Sequence, residues 1–374
     1  MHQRKTKRSA LLAAGLLAIA MRTGIARADN SHSKYSVTNL VSDVTVTPPA
    51  TTPDASLQNA WGIAYLPGGP IWINANGSGT SRLYDGAGAI FTALPFVNVP
   101  GPSSANGAPT GIVANGNAFL FAIPQHTAFS AQFIFSTEDG VIDAWNLGLD
   151  PNNAVVAVDN SGSGAVYKGL AMGNTSKGEF LYATDFHGAK IDVIDATFAA
   201  VPMPAGAFTD TKIPGGPSCD STKATCFAPF GIANIRGNLF VSYAVQDSAK
   251  HDDVKGKGNG FVDVFDTSGN LISRFASKGK LNSPWGMVEA PWNFGGASGS
   301  ILVGNFGDGA INVFSSTNGS PRGQLMDSGK KPLTIDGLWG LTFGGFQGSD
   351  PGTLYFTAGP NDEANGLYGS IDPQ

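Results

Sequence analysis

The sequence predicts an all-β fold, a six-bladed β-propeller with four-stranded blades, and three observations carry that expectation. A four-residue signature of a bulky or polar residue, glycine, an aliphatic residue and a small or β-branched residue recurs six times. Its glycines fall at even intervals of 49, 58, 62, 55 and 54 residues. Each signature is followed by two runs that alternate in β-branched and aromatic residues and are bounded by Gly, Asn and Asp, the mark of hairpins. A period of that length suits one four-stranded unit, and such units close radially so that only short edges remain.

In chain order, the first 28 residues read as an address label. Arg4, Lys5, Lys7 and Arg8 precede an uncharged run from Ala10 to Met21, and Ala26-Arg27-Ala28 offers small residues where a signal peptidase reads. The apolar run is well short of the roughly 20 residues a membrane-crossing helix needs. A signal peptide over 1–28 and a propeller over 29–374 are therefore expected, with no transmembrane segment once the leader is removed. Tyr35 to Leu40 then alternates as a strand ahead of the first signature, and the last repeat runs out after its third strand at Leu367 to Ile371. The N-terminal strand is expected to supply the missing fourth strand of blade six and close the ring.

The six signatures are Trp61-Gly62-Ile63-Ala64, Thr110-Gly111-Ile112-Val113, Lys168-Gly169-Leu170-Ala171, Phe230-Gly231-Ile232-Ala233, Trp285-Gly286-Met287-Val288 and Trp339-Gly340-Leu341-Thr342. Their glycines are read as packing devices that let innermost strands approach closely around a narrow axis. The hairpins after them are clearest at Phe180 to Asp195 and Ile301 to Phe314.

Composition agrees with a turn-rich, packed chain. Gly makes up 50 of 374 residues and only 14% are charged, while 42% are hydrophobic. The net charge is −5, and the leader's six Lys and Arg leave about −11 on the rest. No basic stripe exists to neutralise phosphates, so nucleic acid is excluded as a partner. Cys219 and Cys226 are the only cysteines, and in an exported protein the pair is expected to form a disulfide.

With the signature and the stretch Asn305-Phe306-Gly307-Asp308-Gly309-Ala310-Ile311-Asn312-Val313-Phe314 in view, the repeats resemble those of NHL and gluconolactonase-like propellers. Phe133-Ile134-Phe135-Ser136-Thr137-Glu138-Asp139-Gly140, followed by a strand ending at Trp145, resembles a bacterial family of exported, uncharacterised proteins. The resemblance implies a propeller and brings no activity with it.

Turns between second and third strands share a face with the start of the innermost strand. Asn76, Glu138, Asp185, Asn305 and Asp308 lie on those turns, and their convergence would suit a divalent cation such as calcium, which takes six to eight oxygens. Asn and Asp are also what tight turns require. Trp61, Trp285, Trp339 and His187 are candidates for a ligand-binding face on the same side. A long loop from Gln246 to Asn259, with His251, Asp252 and Asp253, is either a lid over the axis or a solvated insertion. His126 falls on the opposite face, so the histidines do not form a zinc site. No nucleophile elbow, His-Glu-x-x-His helix or phosphate-cradling loop occurs. Two functional readings follow. One is an extracytoplasmic binding or scaffold module, periplasmic or extracellular, for a protein, peptide or glycan. The alternative is a metal-dependent hydrolase or lyase of the lactonase-like type.

Overall fold

The computed structural model describes residues 34–104, 106–216 and 218–374. The signal peptide expected over 1–28 lies outside the described residues. The strands form six sheets whose innermost members, one per signature, contact one another in ring order and close from the sixth back to the first. Blade one runs outward as Ala60–Tyr65, Ile71–Ala75, Thr80–Tyr84 and Phe96–Asn98. Blade four repeats that plan with Phe227–Ile235, Asn238–Val245, Phe261–Phe265 and Leu271–Ser277. In blade three the outer position is held by the chain near Ala200, through a bridge to Ile194 and a 2.8 Å bond from Val201 N to Val193 O. Pro202 and Pro204 follow, and a residue without an N–H cannot extend a ladder.

The expected clasp is present. Tyr35–Ser42 pairs antiparallel with Leu367–Pro373, in a register that sets Tyr35 opposite Pro373 and Val37 opposite Ile371. Cys219 and Cys226 are joined by a disulfide ahead of blade four.

Every signature sits on an irregularity in its innermost strand. The pairing register skips across Trp61-Gly62, Thr110-Gly111, Lys168, Phe230-Gly231, Trp285-Gly286 and Trp339-Gly340. Such bulges re-aim side chains. The glycines are close-approach residues, as the sequence implies: a Cβ on Gly62 would lie 2.1 Å from Thr110 O, and one on Gly286 2.4 Å from Trp339 O.

A second device joins the blades. In four of the six blades a polar residue near the end of the second strand reaches a carbonyl of the next blade's innermost strand. Asn74 Nδ2 donates to Thr110 O at 2.9 Å, Thr184 Oγ1 to Phe230 O at 2.7 Å and Ser242 Oγ to Pro284 O at 2.6 Å. Thr357 Oγ1 bonds Trp61 O across the ring closure. Ser242 Oγ also accepts from Gly231 N at 2.9 Å, so one hydroxyl satisfies two buried backbone groups. Its removal orphans both. Ser242→Ala is expected to cost about 1–3 kcal/mol, read as a lower midpoint in urea or guanidinium unfolding.

Candidate functional site

The bulges turn the first residue of each signature towards the axis. Trp61, Phe230 and Trp339, from blades one, four and six, meet in one buried cluster with Phe186 and Phe306, and Trp285 packs against it. Trp61 and Trp339 stack at 3.7 Å between ring centroids, and Phe306 stacks on Trp339 at 3.8 Å. The Trp339 indole N–H donates to Asn59 Oδ1 at 3.0 Å, and that of Trp285 to Lys168 O at 2.9 Å. The three tryptophans, candidates for a ligand-binding face, form a plug, with Trp61 and Trp339 each only 1% exposed.

Lys168 stands on this plug. Its side chain is 2% exposed, and Nζ lies 5.3 Å from the centre of the Trp61 ring, within reach of a cation–π contact. The ammonium pairs with Glu138 Oε1, and with Asp252 Oδ1 at 3.1 Å. Burial opposes the charge, but Glu138 and Asp252 together outweigh it and hold the ammonium above its ordinary pKa. Glu138 is fixed from the other side, because Asn76 Nδ2 donates to its Oε2 at 2.8 Å. Asn59 Nδ2 in turn donates to Glu363 Oε2 at 2.7 Å.

Asp252 arrives from the long loop, which lies over the axis as a lid. Its tip supports itself: Asp247 Oδ1 accepts from His251 N at 2.9 Å, and Asp247 N bonds Asp252 O at 2.8 Å. Farther along, Lys255 Nζ sits 4.5 Å from the Phe306 ring centre and 3.3 Å from Asp362 Oδ1. His251 Nδ1 lies 2.9 Å from Asp252 Oδ1. That bond, then Lys168, holds the Asp252 carboxyl well below the usual range, and the same bond raises the His251 pKa.

Of the five residues offered as cation ligands, the structure brings Asn76 and Glu138 together and engages the other three elsewhere. Asp185 Oδ1 accepts from Gly188 N at 2.9 Å and Val166 N at 3.2 Å, and its second oxygen faces Lys190 at 3.5 Å. Asn305 Oδ1 accepts from Asn282 N and Asn312 Nδ2, and its amide donates to Asp308. Asp308 caps Ala310 N at 3.2 Å. His187 is exposed, outside the paired group. Sequence reasoning missed Lys168, Asn59 and Glu363. Lys168 had a visible signal, being the one charged residue that opens a signature.

No family model matches the chain. Among curated proteins it is similar to R648 of Acanthamoeba polyphaga mimivirus, 32% identical over 345 residues that cover 90% of this chain and 80% of the relative. L690 of the same virus is 30% identical over 325 residues, covering 85% and 81%. The chain belongs to this family. Its members R648, L690 and R640 are all described as uncharacterized. R640 is 36% identical over 261 residues, and the match spans 46% of its length. These relatives are viral, so the expected bacterial origin draws no support from them.

Solved structures share the fold at low identity. Streptogramin B lyase matches with a TM-score of 0.50 and 12% identity, covering 91% of this chain and 98% of the lyase. A Bacteroides thetaiotaomicron protein of unknown function matches at 0.55 and 10%, covering 92% and 77%. The soluble aldose sugar dehydrogenase of Escherichia coli matches at 0.51 and 13%, covering 91% and 100%. Likeness at this level establishes the propeller alone.

Glu363 gives the site a pH signature. Burial first, then the Glu138 charge, pushes its carboxyl from 4.5 up to about 7. The folded chain therefore binds the extra proton between those values, and this group's contribution to stability falls as pH rises through that window. Glu363→Gln keeps an acceptor for Asn59 and removes the titration. The variant is expected to exceed wild type in stability by about 1–3 kcal/mol at pH 8, with the difference closing towards pH 4, in denaturant melts across that range.

Proposed function

We propose that the protein is an exported propeller that binds a ligand outside the cytoplasm at its lid-covered axis, rather than a metal-dependent hydrolase or lyase. The observation that carries this reading is the Lys168 ammonium, buried between Glu138 and Asp252. The two carboxylates that meet Lys168 already have their counter-charge. A calcium ion would need six to eight oxygens, and Asp185 and Asp308 are engaged in their own turns while Asn305 accepts from Asn282 N. Export is supported by the order of charges and apolar residues before Ala28 and by the disulfide. Among the described residues no helix is long and apolar enough to cross a membrane, which is compatible with the same reading.

One observation favours the enzyme reading. Glu138, His251 and Asp252 each offer a ligand atom, all within 4.8 Å of one another. A divalent ion held there would have to displace or deprotonate Lys168. Elemental analysis separates the two readings, together with melting in calcium, zinc or chelator. An ion bound at a hundred times its dissociation constant adds about 2.7 kcal/mol to the folded state. The binding reading expects no stoichiometric metal and unchanged melting. One ion per chain, lost in Glu138→Gln, would overturn it.

A further inference from the structure

We propose that the ligand of the axial site carries a carboxylate that takes the place of the Asp252 carboxylate on Lys168. This rests on the binding-module reading and names the chemistry that the same site recognises.

The two anionic partners of Lys168 are unlike. Glu138 is 13% exposed and belongs to the wall, its second oxygen anchored by Asn76. Asp252 is 64% exposed and belongs to the lid. The turn that carries Asp252 is held by Asp247 and keeps its shape without Lys168. The lid's other charged tie over the axis joins Lys255 to Asp362, which is 97% exposed, and exposed pairs contribute little. The flanks of the lid are anchored, by Val254 N to Val245 O, Gly256 N to Asn282 Oδ1 and Gly258 N to Leu281 O, so it is the tip, 247–252, that can swing away while Glu138 stays. Its departure would uncover a buried ammonium with one counter-ion and room where a carboxylate had been.

A neutral ligand gives nothing back for that lost ion pair. An acid replaces it with a charge-assisted hydrogen bond of the same kind. The ammonium rests on the ring of Trp61, whose buried indole N–H has no acceptor among the described residues. Asp252 is thus an internal competitor. A lid closed about nine-tenths of the time weakens apparent affinity about ten-fold.

Calorimetric titrations with glucuronate, N-acetyl-aspartate amide and glucose test this on the full chain and on Asp252→Ala. At least one of the two acids is expected to bind wild type weakly and Asp252→Ala about ten-fold more tightly. Glucose should bind neither. Which acid binds tells a sugar acid from an acidic peptide side chain. Lys168→Gln should abolish acid binding, and because that change can disturb folding, the decisive comparison is wild type against Asp252→Ala. If neither acid binds Asp252→Ala, or an acid binds it no more tightly than wild type, the proposal fails. If glucose binds Asp252→Ala as well as glucuronate, the carboxylate rule fails while the binding-module reading survives. A stoichiometric metal would instead remove that reading itself.

Discussion

The closeness of one innermost strand to the next is the constraint on which the rest depends. At Gly231 a Cβ would lie 2.2 Å from Trp285 O, so the strands meet backbone to backbone. That approach leaves carbonyls to be satisfied in a dry seam, and the residues that do so, Asn74, Thr184, Ser242 and Thr357, come from second strands. Blade five has Gly304 at the equivalent place, and the Leu338 side chain fills the space there instead. The same narrowing, with its bulges, drives the first residue of each signature inwards. The axial site is a by-product of how the ring closes.

That origin explains the chemistry of the site. Five of the six signatures open on a large side chain at the axis, Trp61, Lys168, Phe230, Trp285 and Trp339, and four of these are aromatic. A buried lysine on such a floor is tenable only with close counter-charges, because an unpaired ammonium loses its hydration without return. Glu138 and Asp252 supply them from different elements, one rigid and one long looped. The electrostatic need of one residue thereby ties the lid to the floor.

The fold was readable because its cause is local and periodic. Gly62 and its five counterparts recur at blade spacing, and the unmatched strands at Tyr35 and Leu367 announced the clasp. The site was less readable. Asp185, Asn305 and Asp308 look in sequence like Glu138, yet Asp185 and Asp308 cap their own turns and Asn305 ties its turn to the segment at Lys280 and Asn282, and a turn asks for the same residue types as a ligand set. The partnership of Lys168 with Asp252 joins residues 84 apart and becomes visible only once blades three and four are in place. Lys168 itself was in plain sight as a signature residue, where its charge was masked by a pattern that groups bulky and polar residues together. The tryptophans were placed correctly on the axis, but their burial depended on Phe306 and on the loop above them.

Pairing Tyr35 with Pro373 has a consequence for synthesis. A nascent chain can assemble blades one to five in turn, but the sixth contains both the first and the last of the described strands. Until Leu367–Pro373 has left the ribosome, Tyr35–Ser42 lacks its antiparallel partner and has only the short parallel contact of Val41 and Ser42 with Thr52 and Pro53. The ring therefore closes only after Leu367–Pro373 has been made, and until then the edge of Tyr35–Ser42 that faces it stays unpaired.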